Sequence, residues 1–201
     1  MKIKRCVGFL ALALLLSGTA VISAAQERGA NFVRWDIIHL NPTTTPPTVS
    51  PGGVAGASAR NPNTLSIALT GSGTFVAPAS GGTSSAVTGG GTWETFSNGV
   101  STGSGTYEVR ELVSWQFDNF QSGAFIDQID DGTRVNGNAV LRIEYSDGSE
   151  GVLGVGCHGP GADPGIVEGV IATKGYKTYW DAHAPVAGPF VDANRTIFHA
   201  R

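Results

Sequence analysis

Between residues 107 and 117, apolar and polar positions alternate. Tyr107, Val109, Glu111, Val113, Trp115 and Phe117 share one face, and Glu108, Arg110, Leu112, Ser114 and Gln116 share the other. A period of two predicts a strand with one dry and one wet face, the usual antiparallel arrangement. Two neighbours break the pattern. Glu111 is the charge on the apolar face, and Leu112 is the large apolar residue on the polar one. The same period recurs at Leu65, Ile67 and Leu69, and at Leu141, Ile143 and Tyr145 with Arg142 and Glu144 opposite. Further strands are predicted over residues 32–40, 151–157, 166–173 and 195–199. Residues 175–183 are the one stretch where a short helix is expected.

Turn residues divide these runs. Ser97-Asn98-Gly99 and Asp147-Gly148 are hairpin signals. Residues 41–63 are rich in Pro and Gly, which remove backbone donors and side-chain packing, so an irregular crossing is predicted there. A Thr-Gly-small-Gly-Thr-aromatic pattern begins at Thr70, Thr88 and Thr102 and ends at Phe75, Trp93 and Tyr107. Its unequal spacing excludes a regular solenoid. Each copy is a hairpin turn or a bend in a long strand, and bends are favoured for the second and third. Ala86-Val87-Thr88-Gly89-Gly90-Gly91-Thr92 resembles the Gly-rich strand of dirigent and allene oxide cyclase barrels. The resemblance covers these few residues and matches no catalytic position. It implies a barrel and carries no function.

The expected fold is therefore all-β: a single antiparallel curved barrel or sandwich of about eight strands, with at most one short helix near 175–183. It is expected to occupy residues 26–201 as one domain. Residues 1–25 read as a cleaved signal peptide. Lys2, Lys4 and Arg5 precede an apolar run from Cys6 to Leu16, and Ser23-Ala24-Ala25 ends in small residues. The apolar run is too short for a membrane span. The mature chain is thus expected to be secreted or periplasmic and to lack a transmembrane anchor.

Charge and cysteine content narrow the function. Of 13 basic and 16 acidic residues, three bases and no acids lie in the signal segment, leaving a net charge of −6 on the remainder. An acidic surface disfavours nucleic acid, which requires a basic footprint. Cys157 is the one cysteine beyond the signal segment, so no intrachain disulfide is expected after processing. It is either a buried small hydrophobe or a reactive thiol.

Candidate chemistry is sparse. A carboxylate on an apolar face costs energy unless it is paired, solvated or functional. Glu111 is therefore the candidate general base or ligand anchor, with a structural ion pair to an Arg as the alternative. Tyr107 and Trp115 on the same face, with Cys157 and His158 at a strand end, complete the candidate ligand-binding set. Adjacent strand residues point to opposite faces, so Cys157 and His158 are poorly placed as a catalytic dyad. The four His have no zinc spacing, and Asp127, Asp130 and Asp131 lack the alternation of a calcium loop, so no metal is expected. No phosphate loop or nucleophile elbow is present, and no cofactor is expected. Asn194-Arg195-Thr196 fits a glycosylation acceptor.

Function from sequence alone reduces to three readings. The leading one is an exported β-barrel-like protein, more a binder than an enzyme, taking a small partly apolar ligand or an extracellular protein partner. The second is a cofactor-free isomerase or hydrolase with a carboxylate in the barrel cavity. The third is a structural or surface-associated protein without a ligand site.

Overall fold

The structure is a computed structural model that describes residues 31–129, 131–185 and 194–201. The expected signal peptide and Asp130 lie outside the described residues. Among these described residues fourteen strands are formed: β1 (Asn31–Asn41), β2 (Thr48–Pro51), β3 (Ala55–Ser58), β4 (Leu65–Leu69), β5 (Ser72–Ala77), β6 (Val87–Ser97) and β7 (Val100–Phe120), then β8 (Ile126–Asp127), β9 (Thr133–Tyr145), β10 (Glu150–Cys157), β11 (Gly169–Lys174), β12 (Lys177–Tyr179), β13 (Asp181–Ala182) and β14 (Arg195–Ala200). No helix is formed among the described residues, and hence none long and apolar enough to cross a membrane.

Six strands close a ring in the order β1, β5, β6, β7, β9, β14 and back to β1, every pairing antiparallel. Of the expected antiparallel barrel or sandwich, the chain thus forms the barrel. Extra strands branch from it. β4, β3 and β13 extend from β6, while β10, β11 and β12 extend from β9. β2 pairs with β1, and β8 adds to β2 in parallel.

Most strands beyond the expected eight or so are short and fall where turn residues predominate. β2 and β3 lie within residues 41–63, so that segment is not wholly irregular. Its strands sit between the prolines, and Pro51 ends β2 at an exposed position. Residues 175–183 form no helix. Gly175 turns at φ +57°, and β12 folds back on β11 with Thr173 opposite Thr178.

The repeated Gly pattern acts at close strand crossings. Gly73 pairs with Gly89, and Gly91 with Tyr107. A Cβ on Gly91 would run into the Thr70 carbonyl oxygen, so only glycine permits this approach. Across the same region β6 exchanges β5 for β4 as its neighbour. The first copy turns the β4–β5 corner, and the second and third run within continuous strands. Asn98 and Gly99, at φ +50° and +77°, make the hairpin between β6 and β7.

The barrel interior is filled by side chains. Trp35, Phe75, Tyr107, Leu112, Tyr145 and Phe198 are all buried there. Trp115 packs against Phe198 and Phe75, with ring centroids 4.7 Å and 5.3 Å away. At roughly 1.5–3 kcal/mol for each fully buried large side chain, this packing can stabilise the fold without a disulfide among the described residues, where Cys157 is free. A second apolar cluster lies on the outward face of β1 and β14. There Ile38, Val49 and Ile197 pack with Leu40, Phe125 and Ile129.

Candidate functional site

The five residues singled out in the sequence separate into three places. Tyr107 and Trp115 belong to the barrel core. The Tyr107 hydroxyl donates to the Thr70 carbonyl at 2.8 Å, and burial pushes its ionisation far up. Glu111 faces outward. The ladder between β7 and β9 shifts register between Val109 and Glu111 and again between Leu112 and Ser114. The first bulge turns Glu111 out, opposite Arg142, and turns Leu112 into the core opposite Leu141. The second restores the original phase, so Trp115 points inward again. The expected carboxylate on the inner face is thus corrected: Glu111 accepts a hydrogen bond from Arg142 Nε at 3.1 Å.

Cys157 and His158 do meet at a cavity, and it lies on the barrel's flank rather than in its interior. This cavity of about 450 Å³ opens between the outward face of β1 and β14 and the chain that covers it. Its apolar wall is Ile38, Leu40, Val49, Phe125 and Ile197. The register of β14 against β1 sets Arg195 opposite Ile38 on this same outward face. The loop at residues 157–162 forms another side, with Gln121 beside it. The guanidinium of Arg134 lies 4.7 Å from the Phe125 ring centroid and helps to position it.

The polar end of the cavity is built around Glu168. Its Oε2 accepts the His158 backbone N–H at 2.6 Å, and its Oε1 accepts the Thr196 backbone N–H at 3.0 Å. One carboxylate thereby ties the end of β10 to the start of β14. Thr196 strengthens the junction by donating from Oγ1 to the Gly156 carbonyl at 2.5 Å. Desolvation raises the Glu168 carboxyl above its ordinary range, and the two N–H donors and the charge of Arg195 oppose this only in part. Arg195 forms no hydrogen bond or ion pair among the described residues. Its Nε is shielded from solvent without a partner.

The Cys157 thiol is buried and accepts from Gln121 Nε2 at 3.0 Å. Burial pushes it far above its ordinary value, the opposite of what a nucleophile requires. The His158 ring turns elsewhere. Its Nδ1 lies 2.8 Å from the Ile166 carbonyl oxygen, so in the neutral ring Nδ1 carries the proton and Nε2 is left as acceptor. The two side chains form no dyad.

The other candidates have structural partners. Asp131 lies 3.6 Å from Arg34 and pairs with Arg201, while Asp127 Oδ2 lies 2.8 Å from Nε2 of buried His199. The acidic loop is thus tied to cationic side chains and to a histidine. The Asn194 amide accepts from Gly56 N–H at 2.9 Å and donates to the Ala184 carbonyl at 3.1 Å, so it is engaged within the fold.

Sequence reasoning missed Glu168 and Arg195. The signal for Glu168 was present: a carboxylate inside the run Ile166-Val167-Glu168-Gly169-Val170. A charge among apolar residues is as costly there as at Glu111. Arg195 carries no local signal, because only the pairing of β14 with β1 places it at the cavity. No family model matches the chain, and no match to it was found among curated proteins or solved structures.

Proposed function

We propose that this chain is an exported β-barrel protein that binds a small, partly apolar molecule in the flank cavity at Cys157, His158, Glu168 and Arg195. The observation carrying this reading is the cavity itself. Its volume of about 450 Å³ falls in the range of small-molecule sites, and an apolar wall meets a few convergent polar groups. Export rests on the charged, apolar and small-residue order of residues 1–25. A filled barrel interior argues against a ligand there.

Native mass spectrometry of the mature chain tests the reading. A co-purifying small molecule is expected on the wild type and lost in Leu40→Trp, which fills the cavity from its rim. A ligand retained by Leu40→Trp, or no binding of any apolar probe to the wild type, overturns it.

One observation favours the enzymatic alternative. Glu168 is a carboxylate with a raised affinity for protons, set in an apolar cavity, as a cofactor-free acid–base catalyst requires. Under that reading Glu168→Gln abolishes turnover of a bound substrate while binding persists.

A further inference from the structure

We propose that the ligand of the flank cavity carries a single anionic head group, a carboxylate or its equivalent, that binds Arg195, with an apolar body lying along Ile38, Leu40, Val49 and Phe125. The proposal rests on the small-molecule reading of the cavity and adds the chemical class of the ligand.

Arg195 is a cation without an ion pair among the described residues, and its charge reaches the Glu168 carboxyl only at long range. Five other cationic side chains are matched by carboxylates: Arg34 by Asp36, Arg110 by Glu108 and Glu144, Arg142 by Glu111, Lys174 by Asp147 and Arg201 by Asp131. Arg60, Arg134 and Lys177 form no ion pair among the described residues and do not line this cavity. Arg195 lines an apolar cavity with no such acceptor among the described residues, and its Nε is already removed from water. A desolvated guanidinium donor without an acceptor is unfavourable, and its planar fork suits a carboxylate or sulfonate.

Glu168 does not fill this role. Both of its oxygens are engaged by backbone N–H groups of His158 and Thr196, and it forms no ion pair with Arg195. Burial favours its protonated form, which weakens the negative charge that would oppose an incoming anion. The charge that remains disfavours a doubly charged head such as a phosphate monoester. The size of the cavity selects a small molecule over a protein segment, and its five apolar side chains select a hydrophobic body.

Two fluorescent probes of nearly equal shape separate charge from apolarity: anilinonaphthalene sulfonate, an anion, and the neutral phenyl-naphthylamine. The mature protein is titrated with each at low and at moderate salt. The sulfonate is expected to bind the wild type more tightly and to weaken as salt rises. Arg195→Gln should reduce sulfonate affinity about 10-fold or more and leave the neutral probe within about twofold, as expected for loss of one charged hydrogen-bonding partner. Arg195→Lys should retain part of the preference, and a thermal melt establishes that each variant is folded. If Arg195→Gln does not fold, Arg195→Lys and the salt dependence still decide.

Equal affinity for both probes, or equal loss of both in Arg195→Gln, overturns the anionic head while the cavity stands. Binding of neither probe, or binding that persists in Leu40→Trp, removes the cavity reading and this proposal with it.

Discussion

Glu111 and Arg142 face each other across β7 and β9, 3.1 Å apart, on the outside of the barrel. The Arg142 side chain is 57% exposed and that of Glu111 30%, so solvent screens much of their attraction. Glu111→Gln is therefore expected to change the unfolding free energy by less than about 1 kcal/mol and to leave ligand binding unaltered. Chemical denaturation and a probe titration check this. A loss of several kcal/mol would mean that the pair is effectively buried, and a loss of binding would return Glu111 to the site.

The Arg34 clamp on Asp36 predicts the opposite outcome. Two hydrogen bonds of 2.8 Å join them, and Asp36 is fully buried. Removing the guanidinium leaves a buried carboxylate without its cation. Arg34→Met should destabilise by about 3 kcal/mol or more, read from the denaturation midpoint. Arg34→Lys keeps the charge without the two-pronged geometry and should fall between. A fully stable Arg34→Met would show that Asp36 has another route to neutralisation.

Cys157 should behave as core. Its thiol is buried, bonded to Gln121 and resistant to ionisation. Iodoacetamide at neutral pH is expected to leave Cys157 unmodified in the folded protein and to alkylate it fully in denaturant, as read by peptide mapping. Rapid modification under native conditions would point to a thiolate and reopen a catalytic reading of the cavity.

Glu168 predicts a pH dependence of stability. Burial raises its carboxyl in the folded state, so the folded chain holds the proton more tightly than the unfolded one. Its contribution favours folding below the ordinary glutamate value of about 4.3 and is lost as pH rises through the raised value. Glu168→Gln stays neutral throughout, but its amide cannot accept from both His158 and Thr196. Thermal melts should therefore show the wild type's advantage over the variant shrinking as pH climbs from about 4. A difference that is flat, or that widens with pH, contradicts a raised carboxyl.

The adjacent exceptions at Glu111 and Leu112 share one cause. A strict period of two puts a charge inside and a leucine outside, and each is unfavourable. One extra residue at Arg110 resolves both, because a bulge inverts the facing of the residues after it, and a second at Val113 restores it. Two neighbours wrong in opposite senses were the visible sign of a register shift. The number of bulges was not visible, since it depends on how β9 runs alongside.

Local pattern alone determined the all-β class, the hairpins at Asn98-Gly99 and Asp147-Gly148, and the inward faces of β4 and β9. Side-chain period and turn preference act over a few residues, so they can be read before any partner strand is known. The closure of β14 onto β1 was decided only in three dimensions, and with it the meeting of Arg195, Glu168, His158 and Val49. These residues come from segments with no local signal for one another. Long-range pairing brings them together because the outward apolar face of β1 and β14 must be covered by β2 and the chain near Phe125. The cavity is where that cover is incomplete, a property of packing that no single stretch of residues carries.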